Sequence, residues 1–198
     1  MTEIDAALVK KLRDKTGIGM MTCKEALAAT GGDIEKAVDY LRKKGLDAAS
    51  KRAGRKTSEG LVQSYIHGTG KIGVLVEVNC ESDFVARGAD FRELVENICL
   101  HVAATDPIAV SPEDVPVDVV EREKSIYREQ VKNKPPEVLD KIVQGKLKKF
   151  FAEKCLLEQP YVKNTDQTVG DLIKETIAKL GENITVRRFV RYELGEEA

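Results

Sequence analysis

Residues 72 to 102 read IGVLVEVNCESDFVARGADFRELVENICLHV, and two structural rhythms meet inside them. Ile72, Val74, Val76 and Val78 recur every second residue, the period at which the side chains of a strand return to one face. From Phe91 onward, FRELVENICLHV spaces its apolar residues as a helix does. The handover falls at Glu81-Ser82-Asp83-Phe84. Ser82 is a favoured N-cap, and Asp83 in the first turn complements the positive end of a helix. A long helix is therefore expected from about Asp83 to Ala104, stopped at Thr105-Asp106-Pro107 because proline cannot continue it. The ring at this junction has two readings. Phe84 turns inward as a core residue, which periodicity alone favours because large aromatics are usually buried. Alternatively, a rigid, capped helix start presents an acid and a ring to a partner, where one ring buries much area at little entropic cost. Composition does not choose between them.

Upstream, LVQSYIH (61–67) reads as a strand joined to the next by a turn at Gly68-Thr69-Gly70. GTGKIG (68–73) matches the dinucleotide fingerprint by letter, but Val74, Leu75 and Val76 follow it as a strand. No helix N-terminus faces the loop to hold a pyrophosphate. A hairpin turn, using glycine's freedom at positive φ, accounts for it better. A dinucleotide-dependent enzyme would rest on these six letters alone. Downstream, DVVEREKSIYREQV and PEVLDKIVQGKLKKFFAEKCLLEQ read as helices separated by Pro135 and Pro136. TVGDLIKETIAKLGEN is a helix with a glycine stop at Gly181, and ITVRRFVRYEL is a final strand. This order is not that of a doubly wound fold. It predicts an α+β layer in which a three-stranded antiparallel sheet is packed with helices on one face.

The first 46 residues read as three short helices, a small core suited to docking rather than to enclosing a catalytic cleft. Ile4, Leu8 and Leu12 stripe the first, and Gly17 stops it. Thr22 and Glu25 have capping-box spacing at the start of the second. Asp33 caps the third, striped by Ile34, Ala37, Val38 and Leu41, and Gly45 is in place to end it. Residues 47–59, with Lys51, Arg52, Arg55 and Lys56, read as a basic linker. Residues 60–198 are expected to form the α+β core and dimerisation domain.

Lys and Arg number 32 and Asp and Glu 33, a net charge of −1, so no whole-molecule field steers the chain to nucleic acid or membrane. No apolar run approaches the ~20 residues of a membrane span, and the start lacks a signal peptide's apolar core. A cytoplasmic location without a membrane partner is expected. Cys23, Cys80, Cys99 and Cys155 have neither metal-knuckle nor redox spacing and read as buried thiols. His67 and His101 belong to no zinc motif. No cofactor, metal or catalytic acid–base pair is expected, and the chain does not read as an enzyme. The basic stretches SKRAGRK, KLKK and Arg187-Arg188-Arg191 raise an RNA-binding translation accessory as the alternative class. With only 5% aromatics to stack on bases, direct nucleic-acid binding is not expected.

EVNCESDFVAR (77–87) closely resembles the second signature of the bacterial elongation factor Ts family, and LRDKTGIGMMTCKEAL (12–27) resembles the first. GKLKKFFAEKCLLEQPYV and GENITVRRFVRYELGE resemble its later stretches, so the likeness runs from end to end. Thr22 stands where the family usually has Asp, and Ser82 where it usually has Thr. Each swap exchanges one good N-cap for another. The resemblance implies a guanine-nucleotide exchange factor for elongation factor Tu. It implies an N-terminal domain similar to a ubiquitin-associated domain, docking on the GTPase domain of Tu through Leu12, Arg13, Thr16, Gly17, Gly19, Met20, Met21 and Lys24. It further implies that Asp83 and Phe84, with Ser82 and Val85 completing the motif, intrude beside the magnesium of the bound nucleotide. Long members of the family carry two versions of the core unit, whereas this chain has one. With strands apolar on both faces, a homodimer joined sheet to sheet is expected.

Overall fold

A computed structural model describes residues 4–133 and 135–196. Its helices are α1 (Ala6–Thr16), α2 (Met20–Ala29), α3 (Ile34–Arg52), α4 (Asp83–Arg87), α5 (Ala89–Thr105), α6 (Val117–Gln130), α7 (Pro136–Lys154) and α8 (Val169–Leu180). Its strands are β1 (Glu59–His67), β2 (Ile72–Cys80), β3 (Pro160–Tyr161), β4 (Asn164–Thr168) and β5 (Ile184–Glu193). The fold is α+β, with a three-stranded antiparallel sheet in the order β1-β2-β5.

The N-terminal helices close on Leu12, Cys23, Ala26, Leu27 and Ala37, all without solvent exposure. Asp33 caps α3 as expected, accepting the N–H groups of Glu35 and Lys36 at 3.0 and 3.1 Å. Two expectations change here. The Thr22–Glu25 capping box does not form, because α2 begins earlier, at Met20, with Gly19 as a cap that makes no side-chain bond. The carbonyl of Gly19 takes the Cys23 N–H at 3.0 Å, and that turn puts Cys23, Ala26 and Leu27 on the buried face. Nor does Gly45 end α3, which runs on to Arg52. Gly45 is buried, and a Cβ there would lie 2.9 Å from the Cβ of Ala178 in α8. The glycine permits a close helix approach instead of a stop.

In the sheet, β2 alternates strictly: Val74, Val76, Val78 and Cys80 are buried, while Leu75 between them is 46% exposed. Residues 68–71 make the hairpin turn, with Gly68 and Gly70 at φ +52° and +86°, and the last two letters of GTGKIG already belong to β2. The thiol of Cys99 in α5 lies 3.7 Å from the carbonyl of Gln63 in β1, so the helix covers the buried face. The opposite face leaves Val62, Ile66, Leu75, Val190 and Tyr192 exposed. The end of α5 is fastened by β5: Arg191 donates to the carbonyl of Ala103 and pairs with Asp106, a left-handed residue at φ +46°.

The expected helix from Asp83 to Ala104 is two helices, separated by Gly88 in extended conformation (φ −66°, ψ 146°). The stretch CLLEQ does not prolong α7. It leaves the helix at Cys155, where the N–H groups of Leu156 and Leu157 bond the carbonyls of Ala109 and Val110. The β3–β4 hairpin that follows is too short to show a strand rhythm in the sequence.

His101 has no solvent exposure, and its surroundings fix its tautomer. The side-chain oxygen of Gln159 accepts from Nε2–H at 3.0 Å and from the hydroxyl of Thr105 at 3.0 Å, while Nδ1 accepts the N–H of Val162 at 3.3 Å. A second ring proton would face that N–H, and burial holds the imidazole pKa below its ordinary value. Around pH 6.5 and below, the unfolded chain therefore binds a proton that the native state refuses. This contribution to stability is complete above about pH 6.5 and is lost as pH falls through the lowered native value, with a slope of at most about 1.4 kcal/mol per pH unit. Urea titrations from pH 7.5 to 5 should show this loss in the native chain and a shallower one in His101→Gln; parallel profiles for the two would remove His101 as its source.

Candidate functional site

By contacts, one compact unit of the chain comprises the residues up to Leu61, Asn79–Leu94 and Ile173–Thr185. It brings the N-terminal helices, the strand–helix junction and the end of α8 together. A second unit comprises Val62–Val78, Val95–Leu172 and the residues from Val186 onward.

At the junction Ser82 is extended (φ −127°, ψ 153°), and its Oγ accepts the N–H of Val85 at 3.4 Å. The helix it opens has five residues. Val85 and Ala86 are buried and root it, whereas Phe84 is 84% exposed and Asp83 pairs with Arg87 one turn on. Phe91, seven residues after Phe84, has no exposure at all. In one continuous helix those two rings would share a face, because seven residues make almost two full turns. The extended backbone of Gly88 separates them, so that one ring enters the core and the other stands in solvent. The core reading of Phe84 is thereby overturned; periodicity misled because the helix is broken.

Behind the junction lies a residue that sequence reasoning missed. Glu182, from the loop after α8, accepts the N–H groups of Glu81 and Ser82 through Oε2 at 3.1 and 3.0 Å. Its Oε1 accepts the Ser82 hydroxyl at 2.5 Å. A separation of about one hundred residues leaves no local signal for such a pairing. Lys179, at the end of α8, bonds Asp90 at 2.7 Å and passes so close to Gly17 that a Cβ there would lie 2.6 Å from its Cε.

The eight N-terminal site residues fall into two groups. Leu12 is in the three-helix core and supports the surface from within. Thr16 donates its hydroxyl to the Leu12 carbonyl at 2.8 Å, and Gly17, at φ +67°, turns the chain out of α1. Arg13, Gly19, Met20, Met21 and Lys24 are exposed, Met21 at 71%. Met20 and Met21 thus leave two neighbouring apolar side chains in solvent.

Among the described residues no group of three His, Cys, Asp or Glu side chains is placed to hold a metal ion. The four cysteines are buried and unpaired, and burial pushes the thiols of Cys80, Cys99 and Cys155 up to about 11. No helix among the described residues is long and apolar enough to cross a membrane.

A family model described as "Elongation factor TS" matches residues 37–197. The chain is 62% identical over 198 residues to elongation factor Ts of Desulfosudis oleivorans, covering 99% of this chain and 100% of that protein. It is 61% identical over 195 residues to the protein of the same name from Moorella thermoacetica, covering 98% and 96% of the two chains. The relative from Coprothermobacter proteolyticus, also an elongation factor Ts, is 61% identical over 196 residues, with 98% and 100% covered. These matches include the junction at Ser82-Asp83-Phe84-Val85 and, in the full-length relatives, the N-terminal helices. The chain belongs to the elongation factor Ts family of translation elongation factors.

Proposed function

We propose that this chain binds elongation factor Tu in its GDP form, disturbs the magnesium site and promotes GDP release, working in the cytoplasm. The observation that carries this reading is the posture of Phe84: a large ring in solvent on a five-residue helix whose other face is rooted in the core. Magnesium is the largest local charge holding the phosphates of GDP, so a ring and a carboxylate pressed into its surroundings weaken nucleotide binding. The effect is a coupling between two ligands of Tu, each lowering the other's affinity by the same factor. No bond of the nucleotide is made or broken. Residues 1–46 act as the docking domain, in the manner of a ubiquitin-associated domain, residues 47–59 connect, and residues 60–198 carry the tip and the dimer surface. Arg187 and Arg188 both pair with Glu77, and Arg191 with Asp106 and Glu193, which favours this reading over an RNA-binding one.

Substoichiometric amounts of the chain should accelerate release of fluorescent GDP from Tu, and no acceleration would overturn the proposal. Phe84→Ala should slow exchange at least tenfold while changing unfolding free energy by under about 1 kcal/mol, against the ~3–5 kcal/mol of a buried ring. Asp83→Ala should behave similarly with a smaller loss of exchange. A badly destabilised but fully active Phe84→Ala would return the ring to the core.

Docking contributes affinity more than exchange. Met21→Ala should weaken Tu binding with little change in melting temperature or in release rate at saturating Tu. Equal affinity for the two proteins would remove Met21 from the interface. The exposed face of Val62, Ile66, Leu75, Val190 and Tyr192 pairs two copies sheet to sheet. Sedimentation at micromolar concentration should give twice 21.9 kDa, and Leu75→Glu should give the monomer; a native chain sedimenting as monomer would refute the pairing.

A further inference from the structure

The tip at Asp83–Phe84 has little packing of its own. Phe84 is in solvent, the ion pair of Asp83 is with Arg87 of its own helix, and the helix ends after five residues. A ring in that position transmits force to a partner only if its base cannot yield. Local packing supplies Val85 and Ala86, the Cys80 thiol donates to the Ser82 carbonyl at 3.2 Å, and a further restraint comes from the loop after α8.

That loop and the junction hold each other reciprocally. The Glu182 carboxylate takes three donors from Glu81 and Ser82, and the Glu81 carboxylate takes the N–H of Asn183 at 2.7 Å. Asn183, 2% exposed, then donates its side-chain amide to the carbonyl of Arg55 at 2.9 Å. Arg55 in turn pairs with Glu81 at 3.5 Å. Three stretches distant in sequence are thus tied at one point: the exit from α3, the end of β2 and the turn into β5. Hydrogen bonds accepted by an ionised carboxylate are about twice as strong as neutral ones. Two of the three on Glu182 are to backbone, so they fix the main chain that carries the ring.

We infer that Glu182 is the positioning residue of the Asp83–Phe84 tip: its carboxylate holds the backbone of Glu81 and Ser82 so that Phe84 meets the partner on a rigid base. This rests on the exchange function proposed above. Glu182 touches neither nucleotide nor magnesium in this role and acts through Phe84. Its removal therefore lowers the release rate at saturating Tu more than it raises the Tu concentration needed for half-maximal rate, because the docking surface at Met20 and Met21 is untouched.

The test is a double-mutant cycle read in GDP release from Tu, with Glu182→Ala, Phe84→Ala and the pair. Glu182→Ala should lower the saturating rate about tenfold, with less than a threefold change in half-saturation. The pair should be no slower than Phe84→Ala alone, because a loose base has nothing left to misplace. Glu182→Gln keeps an oxygen for the two backbone N–H groups and should recover most of the rate. Amide hydrogen exchange should report faster exchange at Ser82 and Val85 in Glu182→Ala, without reference to Tu. A folded Glu182→Ala with full rate and native protection overturns the inference, as do effects in the pair that simply multiply. If Glu182→Ala does not fold, Ser82→Ala carries the test from the other side of the contact, and full activity in that variant overturns it. The native chain and Phe84→Ala are measured alongside. Acceleration by the first and not the second preserves the exchange reading even where Glu182 proves dispensable, whereas an inactive native chain removes the reading itself.

Discussion

Gly88 spends one residue in extended conformation between two helices, and the use of this surface depends on that residue. Helical geometry would place Phe84 and Phe91 on one stripe, and both are large enough to demand burial. With the backbone extended at Gly88 the stripe is cut. Phe91 goes to the interior, while the preceding turn is free to orient by its own anchors, Val85 and Ala86. The short helix gains nothing from cooperative length, since one turn of helix is unfavourable by itself. It persists because it is capped at Ser82, rooted by two buried side chains and held from behind.

The end of α8 has a second part in this arrangement. Within five residues it supplies Lys179, which lies against Gly17 and bonds Asp90, then Glu182 and Asn183, which fasten the junction and the exit of α3. The turn next to the exposed methionines and the base of the exposed ring are thus referred to one short stretch of backbone. Gly45 serves the same end, since its missing Cβ lets α3 lie against Ala178. The N-terminal helices, the tip and the end of α8 accordingly fall in one compact unit by contact, although they are far apart along the chain.

Elsewhere, buried polar side chains are tied into shared networks, although Arg52 Nε is buried without a hydrogen-bond partner. Gln159 serves His101, Thr105 and the carbonyl of Glu153 at once. Arg191 closes the end of α5 from β5. These groups hold parts of the second unit together, while the apolar side chains Val62, Ile66, Leu75, Val190 and Tyr192 of its strands stay exposed.

The sequence by itself determined what depends on neighbours within a few residues. The period of β2, the Asp33 and Ser82 caps, the hairpin at Gly68 and Gly70, the stop at Gly181 and the α+β order were all legible, because short-range sterics and hydrogen bonding set them. Ser82 to Val85 and the N-terminal contact residues were named by family resemblance, not by the local pattern. Only the tertiary structure decided which way they face. Gly45 and Gly88 look alike in sequence, each a glycine in a helical run, yet one continues its helix and the other breaks it. The difference lies in what packs against each: Ala178 needs the space at Gly45, whereas at Gly88 the core claims Phe91 and leaves Phe84 outside. Glu182 was likewise invisible, since a carboxylate has no local mark that says whose backbone, one hundred residues away, it will hold.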